Sequence, residues 1–271
     1  MKQEVIADIL STVRFAKWMK PNVAGVKGWF LLEVNPLPHG ELLPVISDIH
    51  FGRDVGVSYL DGHVYHDPSC AVEHALPDEL YRLLIKVSKS LKPETFRVAL
   101  FPGVRGGGLS NQPLAIAFDP LLNYALYPDH PHLNAGSNDI PETLCYTDDV
   151  PGLGTTVGER MKEAIRLIAI WLLRHMIWEE SKRYGRPGQW IGPAEHSTFG
   201  SIDYLFFIDP NGHCRCGKQV AYKKCHMPQD LRAVPELLMS QPINFEMART
   251  TRKLKQDNIM KLLIKEAFET S

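Results

Sequence analysis

Cysteine, long apolar runs and any surplus of charge are all scarce in this chain. Five cysteines in 271 residues, three of them between positions 214 and 225, do not form a disulfide framework. That usage points to a reducing compartment, the cytoplasm, with cysteine kept for metal binding and chemistry. The most apolar run, Leu167 to Leu173, meets Arg174 and His175 at once. It falls far short of the roughly 20 residues a membrane-spanning helix needs. The opening Met-Lys-Gln-Glu-Val has no apolar core of the signal-peptide kind. Lys and Arg number 30 against 31 Asp and Glu, a formal net charge of -1. Such a balance exerts no global pull on nucleic acid or anionic membrane, so nucleic acid is not an expected partner. Nucleotide loops are missing too. Gly103-Val-Arg-Gly-Gly-Gly108 lacks the Gly-Lys-Ser/Thr ending, and Gly152-Leu-Gly-Thr-Thr-Val-Gly158 has the wrong spacing.

What is present is an ordinary globular composition, 44% apolar, with no repeats. Residues 2–19 place Ile6, Ile9, Leu10, Val13 and Ala16 at helical spacing, and Gly25 and Gly28 are expected to stop that helix. Trp29–Val34, Val45–Phe51 and Val55–Tyr65 read as strands. A helix is expected from Asp78 to Leu91, then strands at Phe96–Phe101 and Leu114–Phe118. Residues 119–156 are rich in Pro, Asn, Gly and Asp and form a long connection, of the length that is usually functional. Thr156 and Glu159 form a capping box for a helix reaching about Tyr184, where Gly185 stops it. Tyr204–Ile208 reads as a short strand, and Asn244–Phe268 as a helix with Leu254, Met260, Leu263 and Ala267 on one side. Helix, consecutive strands, then helices is the pattern of an α+β fold.

The segment His213-Cys-Arg-Cys-Gly-Lys-Gln-Val-Ala-Tyr-Lys-Lys-Cys-His226 carries the most specific signal. Cys214 and Cys216 can meet one ion from a tight turn closed by Gly217, with Cys225 and His226 arriving from the far side. Three thiolates and one imidazole give the closed tetrahedral shell of a structural Zn2+ site. His213 is the competing fourth ligand. So small a segment cannot bury a core, so ligation itself would fold it. The spacing C-x-C-x8-C-H, with Tyr-Lys-Lys before the third cysteine, resembles the SEC-C zinc module found on the Sec translocation ATPase and on many bacterial proteins. The resemblance covers about residues 205–230 and implies a small docking platform, with Arg215, Lys218, Lys223 and Lys224 supplying charge.

A second stretch, Tyr127-Pro-Asp-His-Pro-His-Leu-Asn134, precedes Cys145 in Glu-Thr-Leu-Cys-Tyr and then the capped helix. A thiol on an irregular loop can hold an acyl group as a thioester and yield it to an amine. Over residues 120–200 the chain resembles ubiquitin-conjugating enzymes. The nearest pattern is the prokaryotic branch from ubiquitin-like conjugation and CBASS antiphage operons, with His-Pro-His, a Leu-Cys pair and a later Trp-x-Gly element such as Trp190-Ile-Gly192. That resemblance implies a UBC-like domain over residues 1–204, a zinc module at 205–230 and a helical tail at 231–271. It implies that Cys145 is the acyl carrier and that His130 and Pro131 are structural. His132, Asn134 and Asn138 are the candidates for the oxyanion donor. Asp148 and Asp149 could orient or deprotonate the incoming amine, and Cys70 is the alternative nucleophile. The implied partners are an activating enzyme, a ubiquitin-like modifier or CBASS nucleotidyltransferase, and a protein target. The competing reading is a catalytically inactive adaptor that works through its zinc module. Ser47-Asp-Ile-His50 and Gly62-His-Val-Tyr-His66 resemble fragments of metallophosphoesterase motifs, but the other ligand motifs do not follow, and the match is set aside.

Overall fold

The computed structural model describes residues 1–23, 26–50, 57–60, 63–67, 76–103, 112–120, 122, 132–134, 141–147, 149, 151–185, 188–192, 204–206, 208–212, 214, 216, 218–234 and 244–269. The architecture is mixed helix and sheet, and the main sheet is antiparallel. Two compact units divide the chain. One comprises Met1–Leu122, Thr143–Ala194 and Leu263–Ser271, the other Asn123–Glu142 and Glu195–Leu262.

In the first unit, α1 (Gln3–Thr12) leads into β1 (Ala16–Val23) and β2 (Val26–Val34). Residues 16–19 therefore leave the expected helix. Val13 is already extended, with φ -113° and ψ 93°, and the ladder gained by pairing Ala16–Met19 with Trp29–Leu32 replaces two further helical turns. Gly28, at φ +78°, lies on β2 where the pairing register shifts between Met19 and Asn22. A Cβ there would lie 2.2 Å from the Trp18 ring, so both backbone and space demand glycine.

The segment expected as a strand at Val45–Phe51 is instead α2 (Leu42–His50). Val45, Ile46 and Ile49 are all buried on it. Burial of each contributes about 1.5–3 kcal/mol, against roughly 0.7 kcal/mol at most for a poor helix former. The 3.6-residue spacing of the apolar positions thus overrides their β-branched character. Downstream, β3 (Val57–Leu60) and β4 (His63–His66) pair antiparallel, with Val57 opposite His66 and Leu60 opposite His63. This hairpin replaces the single strand expected there. The Asp61-Gly62 dipeptide was its signal in the sequence.

As expected, α3 (Asp78–Ser90), β5 (Phe96–Phe101) and β6 (Leu114–Asp119) follow. The sheet order is β1-β2-β5-β6, every neighbour antiparallel. Its two faces are used differently. Phe96, Val98 and Leu100 are buried, and the Phe96 ring meets the edge of His175 on α4 (Val157–Ser181) at 6.4 Å. On the opposite face the register brings Glu33, Arg97 and Asp119 into line. Arg97 bonds both carboxylates, and its guanidinium lies 4.5 Å from the Phe268 ring.

α4 starts on the expected capping box. Glu159 N–H donates to Thr156 Oγ1 at 3.2 Å, and Thr156 N–H donates back to Glu159 Oε2 at 2.9 Å. The helix then buries residues nearly all round, Trp171 and Ile168 among them, as befits the central element of a core. Trp190 packs edge-on against Trp171 at 6.1 Å. Gly192, at φ +141°, has the Arg174 Nε only 2.6 Å from where a Cβ would stand. The Trp-x-Gly element is therefore part of the packing around α4.

In the second unit the expected strand at Tyr204–Ile208 is a helical turn, residues 204–206, with Ile208 N–H donating to the Tyr204 carbonyl at 3.0 Å. α5 (Met227–Ala233) follows the cysteine segment, and α6 (Phe245–Glu269) is counted with this unit up to Leu262 and with the first unit from Leu263. Met260, Leu263 and Ala267 of α6 are buried as expected, whereas Leu254 is 59% exposed. Among the described residues no helix is long and apolar enough to cross a membrane.

Candidate metal centre and cysteine site

The cysteine segment is organised by backbone bonds before any ion is considered. Tyr222 N–H donates to Gly212 O and Cys214 N–H to Val220 O, at 2.9 and 3.0 Å, folding the segment back on itself. A 3-10 turn, Tyr222–Lys224, then carries the chain to Cys225 and His226. Tyr222 is fully buried with Ile208 and Cys214, and its hydroxyl donates to Asp230 Oδ2 of α5 at 2.6 Å. Sequence reasoning missed this Tyr222–Asp230 tie, because an aromatic between two lysines carries no sign of burial.

The result is convergence. The donor atoms of Cys214, Cys216, Cys225 and His226 all lie within 4.8 Å of one another. Cys216 Sγ and Cys225 Sγ are 3.7 Å apart, and His226 Nδ1 is 3.1 Å from Cys214 Sγ and 3.2 Å from Cys225 Sγ. A tetrahedral ion with bonds of about 2.3 Å to sulfur requires sulfur–sulfur edges of about 3.8 Å. The observed edge fits that shell, and the group could hold a metal ion. His226 contributes through Nδ1, and His213 lies outside the described residues. Cys214 is buried, Cys216 exposed, and the other two half-buried, so the cluster opens on one side to solvent.

The thiols do not titrate independently. A backbone hydrogen bond from Lys218 lowers the Cys216 pKa, while the hydrogen bond with Cys214, aided by burial, pushes Cys225 up to about 11. Crowded thiols share protons in this way, because a second thiolate beside the first is repelled. A divalent cation at the centre removes that repulsion and lets all three ionise. Lys218, Lys223 and Lys224 are exposed around the cluster, and Lys223 Nζ donates to Asn211 Oδ1 at 2.6 Å. Arg215 and Gly217 lie outside the described residues.

Cys145 belongs to the first unit. It follows β8 (Thr143–Leu144), which packs beside β6, and it is half-buried and outside any disulfide. Its neighbours Leu144 and Tyr146 are buried, so the chain is anchored on either side of the thiol. Tyr146 donates to Pro113 O at 2.5 Å, and Gln112 Nε2 to Thr147 O at 3.4 Å. Beyond them, Asp149 Oδ1 accepts the Gly152 N–H at 3.0 Å, so this carboxylate closes the turn that leads to α4.

His132 and Asn134 belong to the second unit. His132 is buried just ahead of β7 (Leu133–Asn134), and Asn134 on that strand is half-buried. Asp148, His130, Pro131, Asn138 and Cys70 lie outside the described residues. The structure thus gathers the four metal-site residues into one cluster and places Cys145 on an anchored segment of its own. Comparison with known proteins gives no match: no family model, no curated protein and no solved structure resembles the chain.

Proposed function

We propose that this chain is a cysteine-dependent acyl carrier of the ubiquitin-conjugating type, with a structural zinc knuckle as a docking module. The observation that carries the reading is the setting of Cys145. A half-exposed thiol stands beside the edge of an antiparallel sheet, on a segment anchored by buried Leu144 and Tyr146. It is followed within twelve residues by the capped start of α4. That order, an N-terminal helix, an antiparallel sheet, a loop thiol and a core helix, supports the resemblance carried by the His-Pro-His and Leu-Cys motifs. In this role Cys145 Sγ attacks the activated carbonyl at the C-terminus of a ubiquitin-like modifier or a nucleotidyltransferase. It displaces the activating group, and a target amine then displaces the thiolate. For the oxyanion donor the motif resemblance alone offers His132 or Asn134, and for the group that orients the amine Asp148. Zinc at Cys214, Cys216, Cys225 and His226 would fold the knuckle, and bacterial antiphage defence in the cytoplasm is the setting the resemblance suggests.

A second reading, a catalytically silent zinc-dependent adaptor, is favoured by the metal-site cluster, a convergence of chemical groups complete on the chain itself. Intact mass of the protein co-expressed with its genomic neighbours separates the two. Under the first reading the wild type carries a reductant-labile adduct, and Cys145→Ser carries a reductant-stable ester of the same modifier. No adduct on either form, with the neighbours shown to be active, overturns it in favour of the adaptor.

A further inference from the structure

The described histidines outside the cysteine cluster are not equivalent. His66 Nε2 is hydrogen-bonded to Asp48 Oδ2 at 2.6 Å, binding β4 to α2. His175 is buried among Trp171, Trp178 and Phe96, and His50 and His132 have interactions of their own. His39 and His63 differ from these. Among the described residues neither imidazole has a hydrogen-bond or ion-pair partner, and the contact recorded between them is with each other, at 6.0 Å between ring centroids.

Backbone geometry explains how they meet. Pro38 bridges Val64 in parallel, and His39 N–H donates to the Val64 carbonyl at 2.9 Å, so the 38–39 segment runs alongside β4. Val64 is fully buried, so by the strand's alternation its neighbours His63 and Tyr65 share the opposite face. His39 lies against that face, its ring 5.7 Å from Tyr65 as well. His39 is exposed and His63 half-buried, and a Cβ on Gly40 would meet nothing within 4 Å, so the space beside the pair is open to water.

We infer that His39 and His63 form a second metal site, separate from the cysteine cluster, for a divalent transition ion that prefers imidazole, with water completing its coordination. A nitrogen bond of about 2.1 Å puts each ring centroid about 3.2 Å from the ion, giving a centroid separation of about 4.5 Å for neighbouring and about 6.4 Å for opposite positions of a tetragonal or octahedral ion. The observed 6.0 Å falls inside that range. Two imidazole ligands without thiolates suit nickel or copper, which stand above zinc or beside it in intrinsic affinity for nitrogen donors. With zinc at the thiolate-rich cluster, as proposed above, the two sites would sort metals by ligand softness.

The test is calorimetric titration of the full-length, zinc-loaded protein with Ni2+, with zinc release followed in parallel by a chromogenic chelator. The site predicts one Ni2+ bound per chain without release of zinc. His39→Ala and His63→Ala should each weaken that binding at least tenfold, and the double variant should be little weaker than either single one, since loss of one imidazole already destroys the chelate. His39 is exposed and His63 half-buried, so circular dichroism of each variant confirms that a loss of binding is not a loss of fold. No nickel uptake by the wild type, uptake matched by zinc release, or uptake unchanged in both single variants would each overturn the inference.

Discussion

Tyr146 donates its hydroxyl to the carbonyl of Pro113 at 2.5 Å, and this bond ties the segment bearing Cys145 to the start of β6. Burial pushes the phenol pKa far above its ordinary value, so the hydroxyl stays protonated as a donor throughout the working pH range. The carbonyl it serves is itself buried, and nothing in Phe can replace the O–H.

Tyr146→Phe should therefore cost about 1–3 kcal/mol, the penalty of leaving a buried acceptor without its donor. Urea unfolding measures the loss. The same variant should change the rate at which Cys145 is alkylated, because one of its two flanking anchors is loosened. An unchanged rate with full stability would mean that the bond does not position the thiol.

The capping box predicts two separable effects. Thr156→Ala removes the acceptor for Glu159 N–H and should destabilise the protein by about 1 kcal/mol. Glu159 gives a pH signature, since the Thr156 N–H first, and Thr155 with it, hold its carboxyl down to about 2. A depressed acid contributes stability above its ordinary value of 4.5 and loses it as pH falls through about 2. The stability gap between wild type and Glu159→Gln should thus be constant from pH 7 to 5 and close between pH 4.5 and 2.

His175 has its own acid signature. Burial above all, helped by the positive charge of Lys182, lowers its pKa from 6.5 to about 3. The folded state keeps the ring neutral while the unfolded chain takes up a proton below pH 6.5, so the linked stability is present above 6.5 and drains away as pH falls toward 3. His175→Leu removes this term. Its stability relative to wild type should improve steadily over that window, and a gap independent of pH would show that His175 is not buried neutral.

One equivalent of zinc per chain is expected in protein purified without chelators. Cys214→Ser or His226→Ala should lose it, and Cys145→Ser should keep it in full. Removal of the ion with a strong chelator should open the segment around residues 214–226 to protease, because ligation supplies what its small core of Ile208, Cys214 and Tyr222 cannot. Resistance that survives chelation would make the hydrophobic core sufficient on its own.

Local signals in the sequence were read where local physics decides. The capping box of Thr156 and Glu159 needs only four residues, and α3, β5 and β6 fall where periodicity puts them. The metal-site residues were legible for the same reason, since a turn of known length can deliver Cys214 and Cys216 to one point. Failures came where a residue type and a period disagree. Val45, Ile46 and Ile49 have strand-forming side chains at helical spacing, and the buried helical face prevailed. Ala16–Met19 continued a helical pattern, yet the partner strand at Trp29–Leu32 drew them into a ladder.

By itself, then, the chain's chemistry determined a mixed helical and sheet fold, its principal capped helix and four candidate metal donors, all legible in short stretches, the donors within positions 214–226. Only the tertiary structure decided that Tyr146 reaches Pro113, that Asp48 meets His66, and that His39 comes to rest against His63. Those encounters join residues 18 to 33 positions apart. They depend on strand register and on which face a helix buries, quantities that no local pattern contains.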